Sequence, residues 1–422
     1  MTTTLDRRTP EPGSESPATR RLPGWARGAL WAAVAIAVLS TTSYLTGMST
    51  LTSSSTAQTA LRLALPILLA ALGGLWAERS GVINIGLEGM MILGTFGAAW
   101  GAYHGGVWAG LLAAVAFGAL GGLLHAVATV SFNVNHIVSG VAINLLGLGV
   151  AKYLANLLFE PISGNPRQSP PVPKFDTYSA TVLSDWLAGL EEAQRVGISD
   201  VAGLLRGLVT DVTPLALLAV LFVPLSYFVL WRTRFGLRLR SCGENPVAAE
   251  SLGVDVYLHK YVALVVSGAF AGMGGASLVL IPGGADYLEN QTNGRGFIGL
   301  AAMIFGNWRP GGLLGGAALF GYSDGLQLSG GGQAVLALCY GVVLLLVVLV
   351  FVLLLQRRWG GAGLALAGAG ALYYVYWAND ELPRDLIPYT PHFVTIIVLA
   401  VAAQRLRPPK AIGARYRRGE GG

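Results

Sequence analysis

The chain of 422 residues is 53% hydrophobic and only 12% charged, with 58 glycines and a formal net charge of +6. A soluble domain carries about twice that charged fraction, so a soluble fold is excluded, and abundant glycine suits helices packed closely in lipid. The positive charge does not point to nucleic acid, because the basic residues cluster beside apolar runs, as in the cytoplasmic loops of membrane proteins.

Residues 1–28 are polar and rich in Pro, Ser, Thr and Arg, the composition of a disordered cytoplasmic tail. Apolar runs able to cross a bilayer core of about 30 Å follow at 29–47, 57–77, 81–103, 106–131, 134–159, 213–231, 258–281, 334–355, 359–377 and 388–404. A further apolar stretch, 295–327, is interrupted by "GNWRPGG" (306–312). Pro310 removes a backbone donor there and the flanking glycines weaken helix, so the stretch reads as two half-helices in a re-entrant or broken element. The expected fold class is an all-α polytopic membrane protein of about ten transmembrane helices plus this broken pair, a transmembrane domain spanning 29–404.

Arginine and lysine set its orientation. Arg27 and its neighbours precede the first span, "RTRFGLRLR" fills 232–240, and the basic tail 405–422 closes the chain, whereas loop 160–212 carries more acidic than basic residues. Both termini and 232–257 are therefore expected in the cytoplasm and 160–212 outside. In that loop "SDWLAGLEEA" (184–193) reads as a short amphipathic helix opening at Ser184, either a cap over the outer mouth or a docking surface.

Three stretches are too polar for plain lipid anchors. "AERSGVINIGLEGMMILG" (77–94) sets Glu78, Arg79, Asn84 and Glu88 in an apolar run. A carboxylate at mid-membrane costs on the order of 3 kcal/mol, so Glu88 faces protein or a wet cavity. If 84–94 is helical, Asn84 and Glu88 share one face and either line a solute path or fix packing, with Asn135, Asn144 and Asn293 as further amides for such a path. "IGLEGM" (85–90) and "IGLAAM" (298–303) form a faint repeat, and paired interrupted segments point to a path at their interface. In "SCGENPVAAESLGVDV" (241–256), Asn245 suits an N-cap, Pro246 the first helical position and Gly253 the C-terminal cap. That defines a short helix near 246–252, either an ordinary loop helix or a knob for a soluble partner. Asp286, Glu289 and Arg295 precede the broken element, and Asp324 is another buried-carboxylate candidate. The sequence has no phosphate loop, no zinc-protease motif and no nucleophile elbow. Cys242 and Cys339 show no metal spacing and read as small apolar fillers.

Taken together, "ERSGVINIGLEGMMILG" (78–94), "GENPVAAESLGV" (243–254), "GRGFIGLAAMIFGNWRPGG" (294–312) and the tail "IPYTPHFVTIIVLAVAAQRLRPPKAIGARYRRGE" (387–420) resemble the permease subunits of ABC importers of the branched-chain amino acid and simple-sugar superfamily, nearest to its nucleoside-type branch. The resemblance implies a permease subunit that is not an enzyme and binds no cofactor. ATP would be used by a partner ABC ATPase subunit, beside a second homologous permease and an extracytoplasmic solute-binding lipoprotein, in a bacterial cell membrane. It also implies that Gly243, Glu244, Asn245, Pro246, Ala248, Ala249 and Gly253 form the segment that docks on the ATPase, and that residues 81–94 line or brace the solute path. Residues 332–378 depart from the shorter members as an inserted helix pair, and loop 160–212 is also longer than usual. The expected solute is a nucleoside or related sugar-containing molecule. The alternatives are a simple-sugar (ribose-type) permease of the same kind and an ion-coupled secondary transporter using Glu88 or Asp324.

Overall fold

The computed structural model describes residues 24–193, 195, 197–383, 385–390 and 406–419. The polar segment up to residue 23 and most of the expected span 388–404 lie outside the described residues. The described chain is helical throughout: α1 (Gly24–Thr46), α2 (Ser54–Arg79), α3 (Leu87–Ala126), α4 (His136–Leu158), α5 (Glu160–Ser163), α6 (Thr181–Glu192), α7 (Ile198–Val209), α8 (Pro214–Arg232), α9 (Arg234–Glu244), α10 (Pro246–Ser251), α11 (Val256–Leu280), α12 (Arg295–Phe305), α13 (Pro310–Leu355) and α14 (Trp359–Ala378). Six of these, α2, α3, α4, α8, α11 and α13, are long and apolar enough to cross a membrane.

Local chemistry places the boundaries. Ser53, Asn135, Thr213 and Asp255 cap α2, α4, α8 and α11 by accepting a backbone N–H of the first turn. Gly106 (φ +81°) breaks α3 into legs 87–105 and 107–126, and Gly331 (φ +58°) breaks α13 in the same way, left-handed conformations that cost a β-carbon dearly. The expected spans 81–103 and 106–131 are thus the two legs of α3.

Several boundaries differ from expectation. Helix α1 begins at Gly24 and so includes the last residues assigned to the polar tail, since Trp25, Ala26 and Ala29 extend the helical run of the first span. Residues 81–86 form a turn rather than the start of a span, because Gly81 (φ +89°) leaves the helix and the following backbone bonds to neighbouring elements. The broken element is one half-helix, α12, and one full leg, the first part of α13. Asn307 and Trp308, both at φ +53°, make the break, and Pro310 opens α13.

The core is the crossing of α3 and α11, flanked by α2. A β-carbon on Gly118 would lie 2.2 Å from the Gly268 carbonyl oxygen, so the two backbones touch where larger side chains cannot stand. The residues 163–175 buttress the descent from α11 to α12. Phe175 N–H donates to Leu280 O (2.8 Å), Ser169 N–H to Tyr287 O (3.1 Å) and Glu289 N–H to Arg167 O (2.9 Å). Helix α6 starts at Thr181, three residues before the expected start, and Ser184 lies inside it, bonded to Thr210 rather than capping. The pair α6–α7 packs over the start of α2. This loop end lies opposite a basic end formed by α9, α10 and residues 406–419.

Candidate functional site

Glu88 sits in the first turn of α3 and is buried. Three donors converge on its carboxylate: Thr292 Oγ1 at 2.6 Å and Gly294 N at 2.8 Å on Oε1, and Gly296 N at 2.7 Å on Oε2. Two of these are backbone N–H groups at the start of α12, which no carbonyl of that helix can satisfy. The carboxylate thus completes the positive end of a broken helix from another part of the chain. Its place is set by Gly296, where a β-carbon would lie 2.7 Å from Glu88 Cα.

Two amides brace the same junction. Asn84 Nδ2 donates to Ser267 Oγ at 2.9 Å, halfway along α11. Asn144 accepts from Gly89 N (2.8 Å) and donates to Ile85 O (3.1 Å), holding the turn 85–89 against α4. Asn84 precedes the helix, so Asn84 and Glu88 do not share a helical face; they hold different partners. Asn84, Glu88 and Asn144 thus each make hydrogen bonds within the protein. Asn135 is the exposed N-cap of α4, bonded to Ile137 N and Val138 N, and lies away from this junction. Of the five residues expected to line a path, Asn293 alone stands exposed beside the junction, in a turn at φ +45°. Glu289 pairs with Lys152 (3.1 Å) and Arg167 (3.8 Å), and Asp286 with Lys174 (2.9 Å), not with Arg295. The two repeat segments meet here: Leu87 and Leu300 pack in one cluster above the Glu88 bonds.

At the basic end, Asn245 caps α10 by accepting Ala248 N at 3.0 Å, Pro246 occupies its first turn, and Gly253 (φ +78°) closes it. Glu244, Asn245, Ala248 and Gly253 are exposed, while Gly243, Pro246 and Ala249 are buried. Gly243, in the last turn of α9, is closely packed, and a β-carbon there would come within 2.3 Å of Arg79 O. The outward face of the knob is completed by Val247, Ser251 and Leu252, the last 84% exposed. Cys242 lies beneath it, and burial pushes its thiol up to about 11.

Residues 406–419 cross this end as a strap. Arg407 N bonds Asn307 Oδ1 (2.8 Å), Ala411 N bonds Gly243 O (2.9 Å) and Gly413 N bonds Gly81 O (3.0 Å). Tyr416 packs against Cys242 and Ala249, and Arg418 lies 3.5 Å from Glu250. The strap therefore joins the knob to the turn that leads into Asn84 and Glu88. A second tie lies beside it: Trp308 Nε1 donates to Glu78, while Arg79 donates to Trp308 O and stacks over Trp231.

Residues 56–353 match the family described as the permease component of branched-chain amino acid transport systems. The chain belongs to this permease family. It is 39% identical over 277 residues to the guanosine ABC transporter permease NupQ of Bacillus subtilis, covering 63% of this chain and 80% of that one. It is 31% identical over 358 residues to the nucleoside ABC transporter permease NupC of Lactococcus lactis, covering 83% and 93%. A putative glucose ABC transporter permease, TsgC13 of Haloferax volcanii, is 36% identical over 264 residues, covering 62% and 73%. No solved structure matches the chain. The permease is thus a multi-pass membrane subunit of an ABC transporter and not itself an enzyme.

Sequence reasoning found the braces by their cost in lipid but could not say what they hold, because the partners of Glu88 lie about two hundred residues away. It missed the strap and the outward leucine of the knob. The only signal for Leu252 was an apolar side chain placed just before a terminating glycine, where no core follows.

Proposed function

We propose that the permease is the translocating subunit of an ATP-driven importer of nucleosides. The observation that carries the solute class is the Glu88 carboxylate on the α12 terminus. Broken helices in transporters commonly turn a free positive end toward an anionic solute group. Here that end is already filled from within, which disfavours a carboxylate-bearing amino acid and favours an uncharged solute. The names of NupQ and NupC support a nucleoside, and that of TsgC13 keeps a neutral sugar as the second reading.

The basic end faces the cytoplasm of a bacterial cell and the loop end faces outward, in keeping with the arginines of α9 and the tail. The knob α10 docks on an ABC ATPase subunit. A second homologous permease completes the membrane core, as the pairing of NupQ with NupP in one bacterium suggests. A solute-binding lipoprotein delivers the nucleoside at the loop end. ATP-driven closure of the ATPases displaces α10, the strap passes the displacement to Gly81, and the Glu88 junction shifts between two arrangements of the core.

Uptake of labelled guanosine, ribose and glucose into cells with and without the gene tests this proposal. Loss of guanosine uptake alone is expected, and it should persist under an uncoupler while cellular ATP is held constant. Loss of ribose or glucose uptake alone would replace the nucleoside by a sugar, and sensitivity to the uncoupler at constant ATP would refute ATP drive.

A further inference from the structure

Beside the Glu88 junction the permease carries a face that does not match lipid. Lys152, Tyr153 and Asn156 stand exposed on one side of α4, and Asn293 and Phe297 stand exposed at the start of α12. The Lys152–Glu289 pair, 3.1 Å apart, joins the two groups. The lysine side chain is 55% exposed, Tyr153 66% and Phe297 46%. By contrast, the exposed side of α8 as far as Phe228 carries Leu217, Val220, Leu221, Leu225, Tyr227 and Phe228 and neither a charge nor an amide. Asn293, Asn156 and the Lys152–Glu289 ion pair find no partners in hydrocarbon, so this face is suited to meet water or protein instead.

Its depth follows from the fold. Asn293 adjoins Thr292, which is bonded to Glu88 in the first turn of α3. The leg 87–105 rises roughly 25 Å from there to the loop end. Lys152 and Asn156 lie in the last turns of α4 at that same end. The polar face therefore descends from the loop end to the level of the broken helix.

The geometry points to this face as one wall of the solute site, built for an uncharged molecule with a planar ring and hydroxyls, and closed on its open side by the second permease. The inference rests on the nucleoside reading for the identity of the ring. Tyr153 and Phe297 present rings on which a base stacks. Asn156, Asn293 and the Lys152–Glu289 pair present the donors and acceptors that hydroxyls and ring edges require. Glu88, Asn84 and Asn144 stand behind this wall and set its position without touching solute.

The test uses the assembled transporter in membrane vesicles, with Cys242→Ala and Cys339→Ala removing the native thiols. Single cysteines at Tyr153, Phe297 and Leu221 are treated with a charged, membrane-impermeant thiol reagent. Tyr153→Cys and Phe297→Cys are expected to react and Leu221→Cys to stay silent, with guanosine slowing the first two. Silence at all three would overturn the wall. Reaction that no solute slows would overturn its role in binding. Reaction slowed by ribose or glucose and not by guanosine would leave the wall standing and refute the nucleoside. In transport assays Phe297→Ala is expected to raise KM about tenfold, as loss of one stacking ring does, and Phe297→Tyr to restore it. An unchanged KM in Phe297→Ala would overturn the stacking contact.

Discussion

Helix α11 and the second leg of α13 are both long apolar helices, yet they occupy opposite environments. In α2 and α11, 83% and 72% of the most apolar stretch is buried, whereas in α13, the most hydrophobic of the six, only 11% is. The buried helices carry glycines and serines at their contacts: Gly268, Gly272 and Ser267 face α3 and the turn before it. The exposed leg carries Leu, Val and Phe outward and its neighbour α14 Leu, Tyr and Trp, and the two pack on each other. The rule of a soluble core is inverted, because lipid is as apolar as leucine and drives no burial. Helices associate instead where small residues let backbones meet and where polar groups find partners.

The largest test of that contrast is steric. Gly118→Leu forces a side chain into the Gly268 carbonyl, and a loss of folded protein is expected, with stability falling by roughly 3 kcal/mol or more. Gly370→Leu in α14 meets open space and should leave the melting temperature in detergent unchanged. Equal losses in the two variants would break the comparison.

Next comes the polar junction. Glu88→Ala strands Thr292 Oγ1 and two N–H groups of α12, at about 1–3 kcal/mol for each unsatisfied group. A drop in melting temperature together with loss of uptake is expected, while Leu366→Ala, on the exposed side of α14, should alter neither. A fully stable Glu88→Ala protein would show that the carboxylate does not hold the half-helix.

The smallest effect on folding separates two kinds of exposure. Leu252 and Leu364 are 84% and 78% exposed, one on the knob and the other on α14. Leu364→Asp should impair insertion by about 3 kcal/mol if the outward side of α14 meets hydrocarbon. Leu252→Asp should leave the amount of inserted protein unchanged and weaken co-purification of the ATPase. If both variants insert normally, α14 does not face lipid. If Leu252→Asp keeps its ATPase, the knob is not the docking face.

Much of the helical layout was legible from residue order. The apolar runs gave α2, α4, α8 and α11 to within a few residues, the sequence "GNWRPGG" gave the break before α13, and Asn245, Pro246 and Gly253 gave α10. These features rest on local chemistry: side-chain transfer into lipid, caps, and the lost donor of proline. The cost of Glu88 in hydrocarbon was equally local, so a partner for it could be demanded from sequence.

What that partner is, only the tertiary structure decided. Whether Asn84 lines or braces depends on Ser267, and whether Glu88 binds solute or a helix end depends on Gly294 and Gly296. The strap over α10 depends on Gly81 and Gly243 reaching the same place as Gly413. The composition determined that the chain lives in a membrane, and the order of its apolar runs determined where most of its helices run. The three-dimensional contacts decided which polar groups bond to which, because a hydrogen bond is satisfied by proximity in space and carries no trace of that partner in the residues beside it.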